Sequence, residues 1–332
     1  MSAASIGGRV LRIREVPILL ALLLVVVVAS LVSSAFASSE SLQAILIEAS
    51  VIGLLAAAQS MLIIMRHIDL SVGSTTGLVA FLVGQNSAMN AGVSFPISLG
   101  LGIAIGLLVG SINGALIAYL GLPSLVVTIA MLYVVRGVFN QIAGGTTITA
   151  DQVPTVFVEL GSGSLFGIPY LFICAVLGAV LITLGLRYTR FGRDLYAIGS
   201  NPPAAVRVGI PVARRTFVAF AISGVVTGLA GILLLSRFSF ADATSGIGIE
   251  LYVITACVVG GVVIAGGQGT AIGALIGAVL LQTISFALGA VGVSQFWQQA
   301  VTGTLLVGAI TFDRVVEMRN SHRRSKPAEV HA

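Results

Sequence analysis

The sequence predicts an all-α polytopic membrane protein, a bundle of about ten transmembrane helices with some short or broken members. Three observations predict it. First, 57% of the 332 residues are hydrophobic and only 9% are charged, with a mean hydropathy of +1.08. A soluble domain carries about 25% charged residues, so this chain cannot cover a globule with polar surface. Second, runs such as Pro17–Leu31 are continuously apolar, whereas the strands of an outer-membrane barrel alternate apolar and polar residues. Third, the basic residues cluster in a few connectors and in the tails, as in a chain oriented by positive charge.

Taken in order, the apolar segments fall at about 17–37, 42–65, 70–88, 95–119, 122–143, 168–187, 216–236, 250–265, 270–290 and 295–312. A helix crosses a bilayer with roughly 20 residues, so the shorter segments read as half-helices or packed core helices. No soluble domain fits between them. The chain reads as one transmembrane domain over 1–332, with a tail at 1–16, the bundle at 17–312 and a second tail at 313–332. The longest connectors are about 144–167 and 188–215.

The first segment has two readings. Arg9, Arg12 and Arg14 precede it and Ala35-Phe36-Ala37 follows it, which is the grammar of a signal peptide. The run from Val16 to Val32 is long for such a segment, so an uncleaved first span is expected. Cleavage leaves the orientation of the other nine unchanged.

Orientation follows from the arginines. Lys326 is the only lysine among 17 basic residues. With the N-terminus in the cytoplasm, ten spans return the C-terminus there. The cytoplasmic side then holds every basic residue except Arg237, in an outer loop, and Arg136, within a span. The connector 144–167 has Asp151 and Glu159 and no basic residue, so it belongs outside. Both termini are therefore expected in the cytoplasm of a multi-pass cell-membrane protein. The net charge of +5 reads as orientation, not as nucleic-acid binding.

Small residues recur every fourth position in several spans: Gly102, Gly106, Gly110 and Gly114; Gly269, Gly273 and Gly277; Gly224 and Gly228. Such stripes let backbones approach closely, either as static packing or as a sliding interface. Cys174 and Cys257 lie in apolar runs and read as core residues. Two charges lie inside spans, Glu48 and Arg136. At a rise of about 1.5 Å per residue both sit roughly 10 Å below the outer boundary. That common depth predicts a Glu48–Arg136 contact, with separate snorkelling, or Arg136 capping the turn at Asn140–Gly145, as the alternatives.

Several chemistries are missing. The single lysine stands before Pro327, so no phosphate-binding Gly-rich loop with its Lys is present. His67, His322 and His331 make no metal-ligand or protease motif, and no catalytic constellation is found. A metal site and a catalytic residue are therefore not expected, and the chain is not expected to be an enzyme. Polar uncharged residues inside spans are Gln59, Asn113, Thr128, Asn140, Gln141, Gln282 and Gln298. Each either bonds a neighbouring helix or lines a polar pathway.

Two stretches carry the informative pattern. In Arg66-His67-Ile68-Asp69-Leu70-Ser71-Val72-Gly73-Ser74, Asp69 and Ser71 precede an apolar run. They read as a helix cap or as the gate of a broken helix beside a pathway. In the connector from Thr189 to Ile210, Arg190, Phe191, Gly192 and Arg193 lead to Ala197 and Gly199. Pro202 and Pro203 then open a short helix over Ala204–Val208 that holds Ala204 and Ala205 and stops at Gly209.

At these residues the chain resembles the membrane permease subunits of bacterial ABC importers for monosaccharides: the ribose, xylose, rhamnose and autoinducer-2 permeases. The resemblance rests on Ile68-Asp69-Leu70-Ser71-Val72-Gly73-Ser74; on Asn113-Gly114, Pro123-Ser124-Leu125-Val126-Val127-Thr128 and Arg136-Gly137; on Phe191-Gly192-Arg193 with Ala197-Ile198-Gly199 and Ala204-Ala205; and on Gly260-Gly261 with Gly266-Gly267-Gln268-Gly269. Many members have Gly-Gly immediately before Ile68-Asp69, where this chain has Arg66-His67; the doubled Pro202-Pro203 also departs from the usual pattern. The resemblance implies transport by alternating access through two permease subunits, identical or paralogous, embedded in membrane lipid. It implies an extracytoplasmic sugar-binding protein, and a separate cytoplasmic ATPase that holds the ATP and Mg and docks on the 189–210 connector. A secondary transporter or facilitator for a small polar solute is the alternative.

Overall fold

In a bilayer no water is present to pair backbone amides, so apolar runs must close their hydrogen bonds within helices. The structure, a computed structural model, describes residues 15–32, 36, 38–90 and 94–324. These form α1 (Glu15–Val32), α2 (Ser39–Ile64), α3 (Val72–Met89), α4 (Phe95–Leu120) and α5 (Ser124–Ala143). They continue with α6 (Thr155–Ser162), a two-stranded antiparallel hairpin of β1 (Ser164–Leu165) and β2 (Ile168–Pro169), and α7 (Tyr170–Tyr188). The last members are α8 (Arg190–Ser200), α9 (Pro202–Arg207), α10 (Val212–Phe238), α11 (Ile249–Val259), α12 (Ala271–Ala290) and α13 (Gln295–Arg324).

The expected all-α membrane architecture is present. Each of the ten apolar segments overlaps a helix. Six of these, α2, α4, α5, α7, α10 and α12, are long and apolar enough to cross a membrane. The others are shorter or more polar, with α11 only 11 residues long. The candidate cleavage tripeptide at Ala35–Ala37 and the basic residues Arg9, Arg12, Arg14 and Lys326 lie partly or wholly outside the described residues.

The connectors hold more structure than the sequence suggests. The 144–167 connector contains a short 3-10 turn at Ala150–Gln152, then α6 and β1. The 188–215 connector is almost entirely helical. Its second helix, α9, starts at Pro202 as expected from the fixed φ of proline, and Gly209 follows it with φ +79°. Arg237 is not in a loop: α10 runs on to Phe238 and carries it in the last turn.

Helix α2 is the axis of the bundle. Every residue from Ala49 to Ile64 is buried, against α7, α10, α11 and α12. Helices α4, α5 and α7 lie outside and expose large apolar side chains, among them Leu108, Val126 and Leu181. Such a surface suits acyl chains and not water.

The most extensive interface joins α4 to α10, and glycine makes it possible. A methyl group on Gly106 would strike the carbonyl of Gly224, and one on Gly110 the carbonyl of Phe220. From the other side, a methyl on Gly228 would strike the carbonyl of Gly102. The two stripes read from the sequence therefore interlock backbone to backbone. Gly273 and Gly277 of α12 meet Gly260 and Ala256 in the same way. Gly106→Val should lower the stability of the detergent-solubilised protein by about 1–3 kcal/mol, the usual range for overpacking, measured by thermal melting. Gly137→Ala, where nothing lies within 4 Å, is the neutral comparison.

Candidate functional site

Three features can serve transport: a clamped helical shelf, a break in the bundle, and a polar cavity.

The shelf is α8 with α9. Thr189 caps α8 by accepting a hydrogen bond from the Gly192 amide at 3.0 Å, and Asn201 caps α9 by accepting from the Ala204 amide at 3.1 Å. Leu195 and Ile198 are buried beneath α8. Glycine at 199 is required because a Cβ there would strike the carbonyl of Ile64, and at 192 because it would strike that of Leu186. Polar clamps hold the shelf to three helix ends. Arg66 donates to the carbonyls of Gly199 (2.6 Å) and Ser200 (3.1 Å). The Tyr196 hydroxyl donates to Gly269 O at 2.7 Å. Arg215 pairs with Asp194 at 2.7 Å. What the shelf presents outward is Ala204, Val206, Arg207 and Val208, whereas Ala205 is buried. Arg190 and Arg193 are exposed, Phe191 and Ala197 partly so.

The break lies between α2 and α3. Asp69 does not cap α3 directly. Its carboxylate accepts from the Ser71 amide (2.8 Å) and hydroxyl (2.6 Å), which closes a turn just before the helix. Asn113 of α4 donates to the Ser71 hydroxyl at 2.9 Å. Thr128 of α5 donates to Ile68 O at 3.2 Å and to Ser124 O at 2.9 Å. His67 packs against the Phe220 ring, and burial lowers its pKa to about 4, so the ring is neutral at physiological pH. Asp69, Ser71, Asn113 and Thr128 thus form one buried polar layer that joins the break to α4 and α5.

A second interruption faces the first. Between α10 and α11 the segment 239–248 folds back against α3. A Cβ on Gly77 would strike Ser245 O, and one on Gly73 would strike the Glu250 carboxylate. Gly246 and Gly248 take φ of +81° and +82°, the left-handed region open to glycine. Arg136 secures the segment by donating to Ala243 O (3.0 Å) and Ser245 O (2.9 Å). Helix α11 therefore starts beside the first turn of α3, and Glu250 stands between two helix N-termini, where a negative charge is favoured. The sequence pattern placed Glu250 at a span boundary and missed it; the glycines at 246 and 248 were the available signal.

The expected Glu48–Arg136 pair is not formed. Glu48 pairs with Arg237, and Arg136 turns to the 239–248 segment instead. Equal depth did not make α2 and α5 neighbours; α10 stands beside α2, and its last turn supplies the cation. Arg237 is further enclosed by the Phe238 ring, 4.2 Å away.

Glu48 lies at the edge of a cavity of about 650 Å³, on the side of the bundle opposite the shelf. Gln282, Gln298, Tyr252 and Ser285 are among its polar groups, and Phe36 and Phe286 among its aromatic walls. The seven polar candidates thus separate into three groups. Gln282 and Gln298 line this cavity. Asn140 and Gln141 are exposed on α5. Asn113 and Thr128 are buried in the polar layer, and Gln59 is buried with no partner among the described residues. Among the described residues there is no group of three metal-ligating side chains. Cys257 is buried and donates to Ala56 O, and Cys174 is half-buried.

The fold is that of a multi-helix integral membrane protein, with six helices long and apolar enough to cross a bilayer. The family described as branched-chain amino acid transport system / permease component matches residues 41–310. The chain belongs to this family of transporter permease subunits. The L-arabinose ABC transporter permease protein AraH of Azospirillum brasilense is 34% identical over 292 residues, covering 88% of this chain and 84% of the relative. The autoinducer 2 import system permease protein LsrC of Salmonella paratyphi B is 33% identical over 314 residues, 94% of this chain and 90% of the relative. Its counterpart in Yersinia pseudotuberculosis is 34% identical over 300 residues, with 90% and 84% covered. No solved structure matches the chain. The resemblance read from the sequence holds: the chain is a transport subunit and a multi-pass membrane protein. Family membership implies an ATPase and a substrate-binding protein as partners.

A double-mutant cycle tests the corrected ion pair. Glu48→Gln and Arg237→Gln should each cost about 1–3 kcal/mol, the range for leaving a partly buried charged group unpaired, read from thermal melting. The swap Glu48→Arg with Arg237→Glu should recover part of the loss, and Glu48→Arg with Arg136→Glu should recover none.

Proposed function

We propose that this chain is the pathway-forming subunit of an ATP-driven importer for a monosaccharide or sugar-like solute. The relatives named for L-arabinose and autoinducer 2, each matched over most of its length, support the substrate class. In this reading two such subunits, identical or paralogous, form the pathway in the cell membrane. An extracytoplasmic binding protein delivers the solute, and ATP and Mg are held by a separate cytoplasmic subunit. The helices α1, α3, α11 and α13 complete a ten-span topology with both termini and the shelf in the cytoplasm. That orientation is supported by Arg66, Arg187, Arg190, Arg193, Arg207, Arg214 and Arg215, all in or next to the shelf.

The single observation that carries coupling is the clamp of Arg66 on Gly199 and Ser200. The segment that holds the shelf is the same one that carries the Asp69–Ser71 turn and opens α3. Movement of α8 and α9 by an ATPase would reach the break within a few residues, without a long relay. The solute path in this reading passes Asn140 and Gln141, two exposed polar residues near the end of the otherwise apolar α5, and the cavity at Gln282 and Gln298. It requires weak, differential binding to two conformations and no covalent chemistry.

Ala204 is exposed on the shelf, so Ala204→Glu should leave the permease folded and inserted. It should abolish co-purification with the ATPase and reduce ATP-driven uptake at least about tenfold, as a buried unpaired charge would. Intact association and uptake would reject the docking surface. In a background lacking Cys174 and Cys257, cysteines at Asn140, Gln282 and Gln298 should react with a water-soluble thiol reagent at rates that change with nucleotide. A cysteine at the buried Thr128 should stay inert. Equal inertness at all four positions would reject the lining.

A further inference from the structure

A separate cavity of about 400 Å³ opens on the shelf side, between the end of α7, the face of α8 and the start of α12. Two guanidinium groups line it, Arg187 from the last turn of α7 and Arg193 from α8. The ion pairs among the described residues are Arg215–Asp194 and Arg237–Glu48, so neither of these two arginines is neutralised by a carboxylate. Arg193 reaches Tyr188 O at 3.4 Å, and Arg187 stacks 5.7 Å from the Tyr188 ring. Both contacts hold the side chains near the cavity and leave guanidinium donors over.

The third wall is the N-terminus of α12. Thr270 caps it by accepting from the Gly273 amide at 3.0 Å, and Thr270 O accepts from the Ala274 amide at 3.1 Å. The amide of Ile272, in the first turn of the helix, has no acceptor within it, and Ile272 is partly exposed in the cavity wall, whereas Ala271 beside it is fully buried. Two forked cations and a helix N-terminus on one concave surface match a tetrahedral anion with several acceptor oxygens. A carboxylate would use fewer of these donors.

We propose that this cavity binds a phosphate group, held by Arg187, Arg193 and the Ile272 amide at the start of α12. The cavity has room for the glycerol that would carry such a phosphate in a phospholipid as well as for the free ion. Bound there, the phosphate ties α7 and α12 to α8, and so bears on the shelf without lying on its outward face.

The test uses the purified full-length permease and does not depend on transport. In one arm the protein is passed through mixed vesicles of phosphatidylglycerol and phosphatidylcholine, re-extracted, and its retained lipid counted by native mass spectrometry. In the other, inorganic phosphate is titrated against thermal stability in a neutral detergent. The expected result is selective retention of phosphatidylglycerol that falls at least about tenfold in Arg187→Gln/Arg193→Gln and is unchanged in Arg214→Gln, which removes a charge from the same side outside the cavity. Stabilisation by inorganic phosphate in the wild type but not in the double variant, without selective lipid retention, would assign the site to a soluble phosphate instead. Equal behaviour of wild type and double variant in both arms overturns the proposal. If the double variant does not fold, Ile272→Glu serves in its place. An acidic residue is favoured in the first turn of a helix yet would repel the anion, so undiminished retention and phosphate response in that variant overturn the proposal equally.

Discussion

A backbone amide inside a membrane bundle must be paired, and the architecture of this protein depends on how it meets that constraint where its helices stop short. Long helices satisfy it internally. The breaks before α3 and before α11 do not, and the chain places them against each other. The Asp69 carboxylate serves the Ser71 amide and hydroxyl, Asn113 completes the hydroxyl, and Arg136 takes up two carbonyls of the 239–248 segment. Glu250 balances two helix ends that would otherwise present only positive partial charge. Each polar residue in this region answers a specific backbone or side-chain group, so the layer is costly to perturb at any one member.

Close approach is the second condition, and glycine alone satisfies it. The 239–248 segment can lie on α3 because positions 73 and 77 carry no side chain, and α4 can lie on α10 because positions 102, 106, 110, 224 and 228 carry none. The two cases differ in consequence. The α4–α10 seam is backbone against backbone along several turns, which makes those two helices behave as one body. The contact at Gly73 and Gly77 joins a helix to a loop that two arginine hydrogen bonds hold in place. A bundle in which one seam is continuous and another is pinned at a few points can divide into moving parts along the second.

The sequence made the helices legible because apolar run length is a local property: each of the ten segments overlaps a helix, and six of these are long and apolar enough to cross a membrane. Pro202 and Gly209 were legible for the same reason: φ preferences act within one or two residues. The shelf helix α8 was not, since Arg190–Ser200 is amphipathic against protein and mixes arginine, aspartate and tyrosine with its buried Leu195 and Ile198. The ion pair was misread because depth along a helix axis is local while adjacency is not. Glu48 and Arg136 lie similarly far along their segments, yet it is α10 that packs on α2, and two extra residues of α10 moved Arg237 from a loop into a helix that reaches Glu48. Of the candidate site, Asp69, Ser71, Asn113 and Thr128 were recognised individually, but their union in one layer depends on which helices pack together.

The departure at Arg66 shows how such a local rule and a tertiary contact compete. Helix α2 ends with the amide of His67 donating to Leu62 O (2.9 Å) and that of Arg66 to Ile63 O (2.8 Å). This double closure requires a left-handed residue just past the cap, and Arg66 has φ +70°. Related permeases with Gly-Gly before Ile68-Asp69 would meet that requirement without strain. Here an arginine bears it, at about 1–2 kcal/mol for a residue with a side chain. In return its guanidinium donates to two carbonyls of the shelf, and hydrogen bonds from a charged donor contribute about 1.5–3 kcal/mol each, less at a position this exposed. The contact works against the strain and is of the same order as it. A glycine would have closed the helix equally well and left the shelf without its clamp to α2, so the strained arginine at this position answers to the shelf and not to the helix end.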